Sequence, residues 1–198
     1  MHTAYIGMGA NLASHAGSPD ATLAAAAARL ESLGRVVRRS SLYSTDPVGF
    51  AAQPRFVNAV VALETGLDPH ALLAALLRIE QDFGRDRASS FQNGPRTLDL
   101  DILLFASVHL TEPGLVIPHP RLADRAFVLV PLNEIAGSVI DPASGASVSQ
   151  LLQRLYANGE STTDAVVQVQ SEVWRRGADR DVAVPGDPLR TIHCDNNR

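Results

Sequence analysis

Twice in this chain a strand-like run is followed by a capping residue, a proline and an apolar helix, and that repetition limits the folds open to it. Thr3 to Gly9 alternates apolar and small residues and reads as a first strand. Ser18-Pro19-Asp20 then supplies a cap, a proline for the first helical position and an acid beside the helix dipole. The alanine-rich run beyond it predicts a helix as far as Leu33, stopped by Gly34. Val36 to Tyr43 predicts a second strand and Phe56 to Thr65 a third, with the chain-breaking stretch Gly49 to Pro54 between them. Asp68-Pro69 repeats the helix start, and Leu72, Leu73, Leu76, Leu77 and Ile79 form a stripe at helical spacing that ends near Gly84. Leu98 to Phe105 is the strongest strand. A short hairpin through Val108 to Leu110 follows, and then a helix from about Arg121 to Ile135 that Pro131 kinks or divides. The order β-α-β-β-α-β predicts a ferredoxin-like α+β sandwich: a mainly antiparallel sheet, helices on one face, the other face free for a ligand.

From about Asp141 the texture changes. Leu151 to Tyr156 extends a helix, and Val167, Val169 and Val173 suggest an edge strand, but residues 157–198 lack a core pattern and turn charged and Gly/Pro-rich beyond Arg175. The expectation is one domain over residues 1–156 and a loosely ordered extension over 157–198.

Composition narrows the chemistry. The 198 residues are 45% hydrophobic and carry a net charge of −4, which argues against a nucleic-acid surface. No apolar run reaches the roughly 18 residues of a membrane span. Met1 to Ile6 shows no basic segment ahead of a long apolar one, so the expectation is a soluble, cytoplasmic protein, taken as a monomer. All 17 cationic residues are arginine. That excludes lysine Schiff-base chemistry and a Walker A loop, and leaves arginine forks, backbone amides or metal for any phosphate. The single cysteine, Cys194, has no partner for an internal disulfide, and no Cys/His grouping has zinc spacing.

Asp99-Leu100-Asp101 lies inside the strongest strand. Alternation puts both acids on one face, roughly 6–7 Å apart, with Leu98, Leu100, Ile102 and Leu104 on the other. That spacing suits two magnesium ions, which in shared sites sit about 3.5–4 Å apart. A strand whose acids simply point to water fits the same pattern. Arg85, Arg87 and Arg96 stand close by in the loop before the strand, where they serve either as a phosphate grip or as a solvated basic loop. Gly7-Met8-Gly9 lacks the third glycine of a dinucleotide fingerprint and reads as a tight turn beside a ligand. Phe56 and Asn58 share a face, able to stack on a flat heterocycle and bond its edge, or equally to be a core ring and a backbone-bonding amide. His119 sits in a stiff loop between Pro118 and Pro120. A nucleotidyltransferase or cyclase would also use an acid pair, but with a further acid from another strand. A non-catalytic module binding RNA lacks its aromatic pattern here.

Assembled, these residues resemble the 6-hydroxymethyl-7,8-dihydropterin pyrophosphokinases of folate synthesis. The run Gly94-Pro95-Arg96-Thr97-Leu98-Asp99-Leu100-Asp101-Ile102-Leu103-Leu104-Phe105 matches the family signature. Tyr5 to Leu12, Tyr43-Ser44-Thr45, Phe56 to Ala59, Arg78-Ile79-Glu80, Gly84-Arg85, Pro118-His119 and Arg125-Ala126-Phe127 support it, over roughly residues 3–156. The resemblance implies a ferredoxin-like fold and transfer of pyrophosphate from ATP to the pterin hydroxymethyl group, releasing AMP. It implies two magnesium ions on Asp99 and Asp101, and a pterin between Phe56 and Phe127, read by Asn58 and by backbone near Thr45 and Val48. Arg85 and Arg96 would steady the transferring phosphates. Glu80, Arg87, Ile102, His119 and Arg125 would serve ATP. Loops 46–54 and 85–95 have the length and composition of lids. The chain departs from better-known members at Asp46, Leu77, Asn93 and Gly114, and Phe91 offers a ring where Asn93 replaces tryptophan.

Overall fold

Strand β1 (His2–Ala10) lies inside the sheet and pairs antiparallel with β4 (Phe56–Thr65), the central strand, on one side and β5 (Asp99–Phe105) on the other. The structure is a computed structural model that describes residues 1–86, 93–158 and 166–181. Beyond β4 lie β2 (Arg35–Arg39) and β3 (Leu42–Thr45), both paired with it, and β8 (Val167–Val169) pairs with β3. The order is β5-β1-β4-β3-β8, every pairing antiparallel, with β2 continuing the β3 side. The expected single strand over 36–43 is therefore two. Its register shifts between Val36 and Arg38, and it breaks at Ser40-Ser41, where the Ser40 hydroxyl accepts the Val60 N–H in place of a regular ladder bond.

Helices α1 (Pro19–Leu30) and α2 (Pro69–Asp82) cover one face. Ala4, Ile6 and Met8 alternate from β1 into the same core as Leu23, Ala27 and Leu30 of α1 and Leu72, Leu76 and Ile79 of α2. The Asp68 carboxylate caps α2, accepting the Ala71 N–H at 2.9 Å. Ser18 does not cap α1; its hydroxyl donates to Asp20 instead. The opposite face is not free, as the sequence suggested. Helices α3 (Ala126–Ala136) and α4 (Val148–Ala157) pack Leu129, Leu132, Val148 and Leu151 onto Val60, Ala62, Leu103 and Leu104. Among the described residues, the end of the sheet at Gly9, Asn58 and Asp99 lines an open cleft.

Three features differ from the expected pattern. The helix expected from Arg121 starts at Ala126 and keeps Pro131 inside it. The expected hairpin at 108–110 lies further on, as β6 (Leu110–Glu112) and β7 (Leu115–Ile117) around Pro113-Gly114. A bulge at Leu103, opposite Tyr5/Ile6, flips the phase of β5, so Leu104 joins the α3/α4 cluster and Phe105 the α1/α2 core.

Residues 167–176 are docked on the domain rather than loose. β8 extends the sheet, Val173 belongs to α5 (Glu172–Asp181) rather than to a strand, and Trp174 is buried in the α1/α2 core. Among the described residues no helix is long and apolar enough to cross a membrane.

Gly34 shows how closely α1 returns to the sheet: a Cβ there would stand 2.1 Å from the Glu64 carbonyl oxygen. Gly34→Ala should therefore cost about 2 kcal/mol or more of stability, since backbone on one side must move. Urea unfolding of the two proteins checks this, and equal midpoints would refute it.

Candidate active site

Gly7 and Gly9 lie within β1, not in a turn, and form a floor without side chains. Gly9 pairs with Asn58 on one neighbour and Asp99 on the other; Gly7 pairs with Val60 and Asp101. A Cβ on Gly9 would come within 3.0 Å of Asn58 Oδ1, and one on Gly7 within 3.2 Å of a Leu103 methyl. The bare floor opens a cleft between the amide on β4 and the acids on β5.

Thr45, Asp46, Val48, Phe56, Asn58, Phe127 and Val128 line one half of this cleft. Asn58 and Thr45 are buried, and the Asn58 amide donates to Thr45 Oγ1 at 2.8 Å, which leaves Asn58 Oδ1 beside Gly9. Phe56 is 7% exposed, with the Arg96 guanidinium 5.0 Å over its ring; Arg125 lies 5.3 Å over Phe127. Val48, on the 46–54 loop, stands out in solvent. Asp46 and Arg55 form an ion pair across the neck of that loop.

Asn93, Arg96, Asp99, Asp101 and Arg125 line the other half. Arg85 is the hub there: Nη1 donates to the Leu98 carbonyl at 2.9 Å and contacts both Asp99 and Glu80. Arg96 reaches the second Asp99 oxygen at 3.2 Å. The Asp101 carboxyl is pushed up to about 6, first by burial, then by the charges of Asp99 and Glu80, against the pull of Arg125 and Arg85. Burial and neighbouring arginines lower His119, and its Nδ1 accepts the Arg121 N–H at 3.1 Å. The neutral ring thus carries its proton on Nε2.

Two expectations for the nucleotide change in kind. Glu80 is 1% exposed and does not line the cleft; its Oε1 accepts the Leu100 N–H at 2.8 Å and faces Arg85. Ile102 sends its side chain into the α1/α2 core, so only its main chain is available to a ligand. Arg87 and Phe91 lie outside the described residues. One residue that sequence reasoning passed over is Asn11. Its side chain is buried, accepts the Arg96 N–H at 2.8 Å, and donates to Gln53 at 2.9 Å and to the Pro54 carbonyl at 3.0 Å. It ties the two loops of the cleft to the end of β1.

The model of the 7,8-dihydro-6-hydroxymethylpterin-pyrophosphokinase family matches residues 5–137. The 2-amino-4-hydroxy-6-hydroxymethyldihydropteridine pyrophosphokinase of Bacillus subtilis is 39% identical over 170 residues, covering 85% of this chain and 98% of that protein. The enzyme of the same name from Pseudomonas aeruginosa is 46% identical over 150 residues, covering 75% and 88%. The fold is similar to the crystal structure of wild-type Plasmodium falciparum HPPK-DHPS, at a TM-score of 0.63 and 14% identity over 82% of this chain. The chain spans about half the length of that protein, 47%. The protein is a transferase of the kinase type. It belongs to the 7,8-dihydro-6-hydroxymethylpterin-pyrophosphokinase family.

The crowding at Asp101 carries a stability cost. Because folding raises its pKa from 3.8 to about 6, the folded state prefers the proton, and stability falls as pH climbs between those values. Asp101→Asn should therefore melt higher than the parent at pH 7–8, by about 1–2 kcal/mol in metal-free buffer, and the gap should close below pH 4. Thermal unfolding across pH tests it; a variant less stable at pH 8 would contradict it.

Proposed function

We propose that this chain transfers pyrophosphate from ATP to the hydroxymethyl group of 6-hydroxymethyl-7,8-dihydropterin in folate biosynthesis and releases AMP. One observation carries the reading: unmet needs of opposite sign stand side by side. Asp99 and Asp101 crowd negative charge on one strand face. Next to them the buried Nε–H groups of Arg85 and Arg96 have no acceptor among the described residues. A polyphosphate bound to divalent cations answers both, the cations the carboxylates and the phosphate oxygens the guanidinium donors.

The donor set fits magnesium. Two carboxylates, with no further cluster of His, Cys, Asp or Glu among the described residues, match an ion that takes one or two protein oxygens and completes its shell from phosphate and water. Asp99 and Asp101 would hold two such ions, which when bound would neutralise charge developing on the phosphates. Arg85 and Arg96 align the transferring group, each fixed by Asp99. Arg125 and neutral His119 extend the grip along the nucleotide. Leu100 turns its N–H out of the sheet to Glu80, and by alternation Ile102 presents its main chain to the same edge, where a nucleobase can bond to it. Phe56 and Phe127 flank the pterin over the glycine floor. Asn58 Oδ1 and the backbone at Thr45 and Val48 meet its polar edge. Pyrophosphoryl transfer asks mainly for alignment and charge neutralisation, which this cleft supplies. ATP and the pterin are the only partners the reading needs, and it takes the chain as a cytoplasmic monomer.

Incubation with ATP, the hydroxymethylpterin and magnesium should yield AMP and the pterin diphosphate, and chelation should abolish both. Asp99→Ala and Asp101→Ala should each lose about a hundredfold or more in kcat while remaining folded. Release of free pyrophosphate instead of AMP would point to a nucleotidyltransferase and refute the assignment.

A further inference from the structure

The C-terminal segment is joined to the sheet on the pterin side of the cleft. In the order β5-β1-β4-β3-β8, the phosphate-side acids and arginines gather at the β5 end, while Thr45 and Asn58 sit on β3 and β4. β8 pairs with β3 alone: Leu42 with Val169, Tyr43 with Gln168, Ser44 with Val167. The next residue of β3 is Thr45, which pairs with Phe56 and accepts from the Asn58 amide.

The start of β3 is held by the same segment. The chain breaks at Ser40-Ser41, which leaves main-chain groups that the regular ladder does not satisfy. Trp174, 4% exposed, donates its indole N–H to the Ser40 carbonyl at 2.8 Å, and the Arg39 guanidinium lies 5.4 Å over its ring. The Gln168 amide donates to Ser41 Oγ at 2.8 Å. Glu134 of α3 takes the Ser41 N–H at 2.8 Å and the Tyr43 hydroxyl at 3.0 Å. Ser171 anchors the segment to α1 through Asp20, at 2.7 Å. β3 is four residues long, so a hold on Ser40 and Ser41 just before it, together with pairing along its outer edge, governs where its last residue, Thr45, lies.

We infer that residues 167–176 form part of the pterin half of the site, with Trp174 a positioning residue that fixes β3 and, through it, Thr45 and Asn58. The inference rests on the proposed function for its substrate. A segment that merely covered the core would stabilise both halves of the cleft alike. One that sets β3 acts on the pterin half, three strands away from Asp99.

Trp174→Phe keeps a buried ring and removes the donor; Trp174→Ala removes both. With full-length protein below the melting temperature of each variant, the KM for the pterin should rise about fivefold in the alanine variant, which loses ring and donor and so displaces Thr45 and Asn58 by enough to cost the pterin about one hydrogen bond. The phenylalanine variant should rise less, and the KM for ATP should hold steady in both. Amide hydrogen exchange supplies a readout independent of turnover: Leu42–Thr45 should exchange faster in Trp174→Phe while Asp99–Leu104 keep the parental rate. If the parent itself releases no AMP, the functional reading fails, and the exchange pattern still decides the role of the segment. Equal rises in both KM values, a lowered melting temperature with both unchanged, or unaltered exchange at Leu42–Thr45 would overturn the inference. If the alanine variant does not fold, the phenylalanine variant decides it by the same criteria.

Discussion

Glu80, Asp99 and Asp101 bring negative charge to one place, and Arg85 is what lets them stay together. Its guanidinium meets Glu80 from below and Asp99 from the cleft side, and is pinned by the Leu98 carbonyl. Glu80 in turn fixes β5 through the Leu100 N–H. Helix α2 supplies Glu80 from its last turn and Arg85 from the residues just after it. The packing of Leu72, Leu76 and Ile79 on the sheet therefore sets the reach of both charges. A buried carboxylate paired with a buried guanidinium contributes little net stability against two hydrophobic groups, but breaking the pair leaves an uncompensated charge. The arrangement preserves geometry at the cost of tolerance to change.

The cleft divides along β1. On one side, the amide of Asn58 and the rings of Phe56 and Phe127 make a slot suited to a flat, polar-edged molecule; on the other, carboxylates and guanidinium groups suit phosphate. The glycines between them leave the backbone bare where the two halves meet. Asn11 then ties Arg96 of the phosphate side to the Gln53-Pro54 end of the loop over the other. Each half draws on segments distant in sequence, and the antiparallel register brings them together.

Much of this was legible beforehand. Asp99 and Asp101 share a face because strand alternation is a local rule, and the same rule put Phe56 beside Asn58. Glu80 was expected near the nucleotide; its bonds to Leu100 and Arg85 had a signal of their own, since it lies four residues beyond Leu76, on the buried side of α2, where an acid needs a partner. The bulge at Leu103 and the break at Ser40 were not legible, because both follow from register between distant strands. Trp174 is the only tryptophan, set in a charged stretch with no periodicity. Its burial depends on an opening between α1 and the β2/β3 bend that exists only once the sheet has formed. The helices near 121–135 and 151–156 were expected, but not their covering of the second sheet face, because the six-element pattern assigns no place to helices added after it.

The outer edge of β5 ends the sheet, and such an edge invites another chain to pair with it. Here the Glu80 carboxylate occupies the Leu100 N–H, and the His119 N–H occupies the Leu103 carbonyl at 2.9 Å. Between these two plugs Ile102 offers one residue's width of main chain, enough for a small planar molecule and too little for an incoming polypeptide. The closing of this edge by side chain and loop is thus a guard against polymerisation.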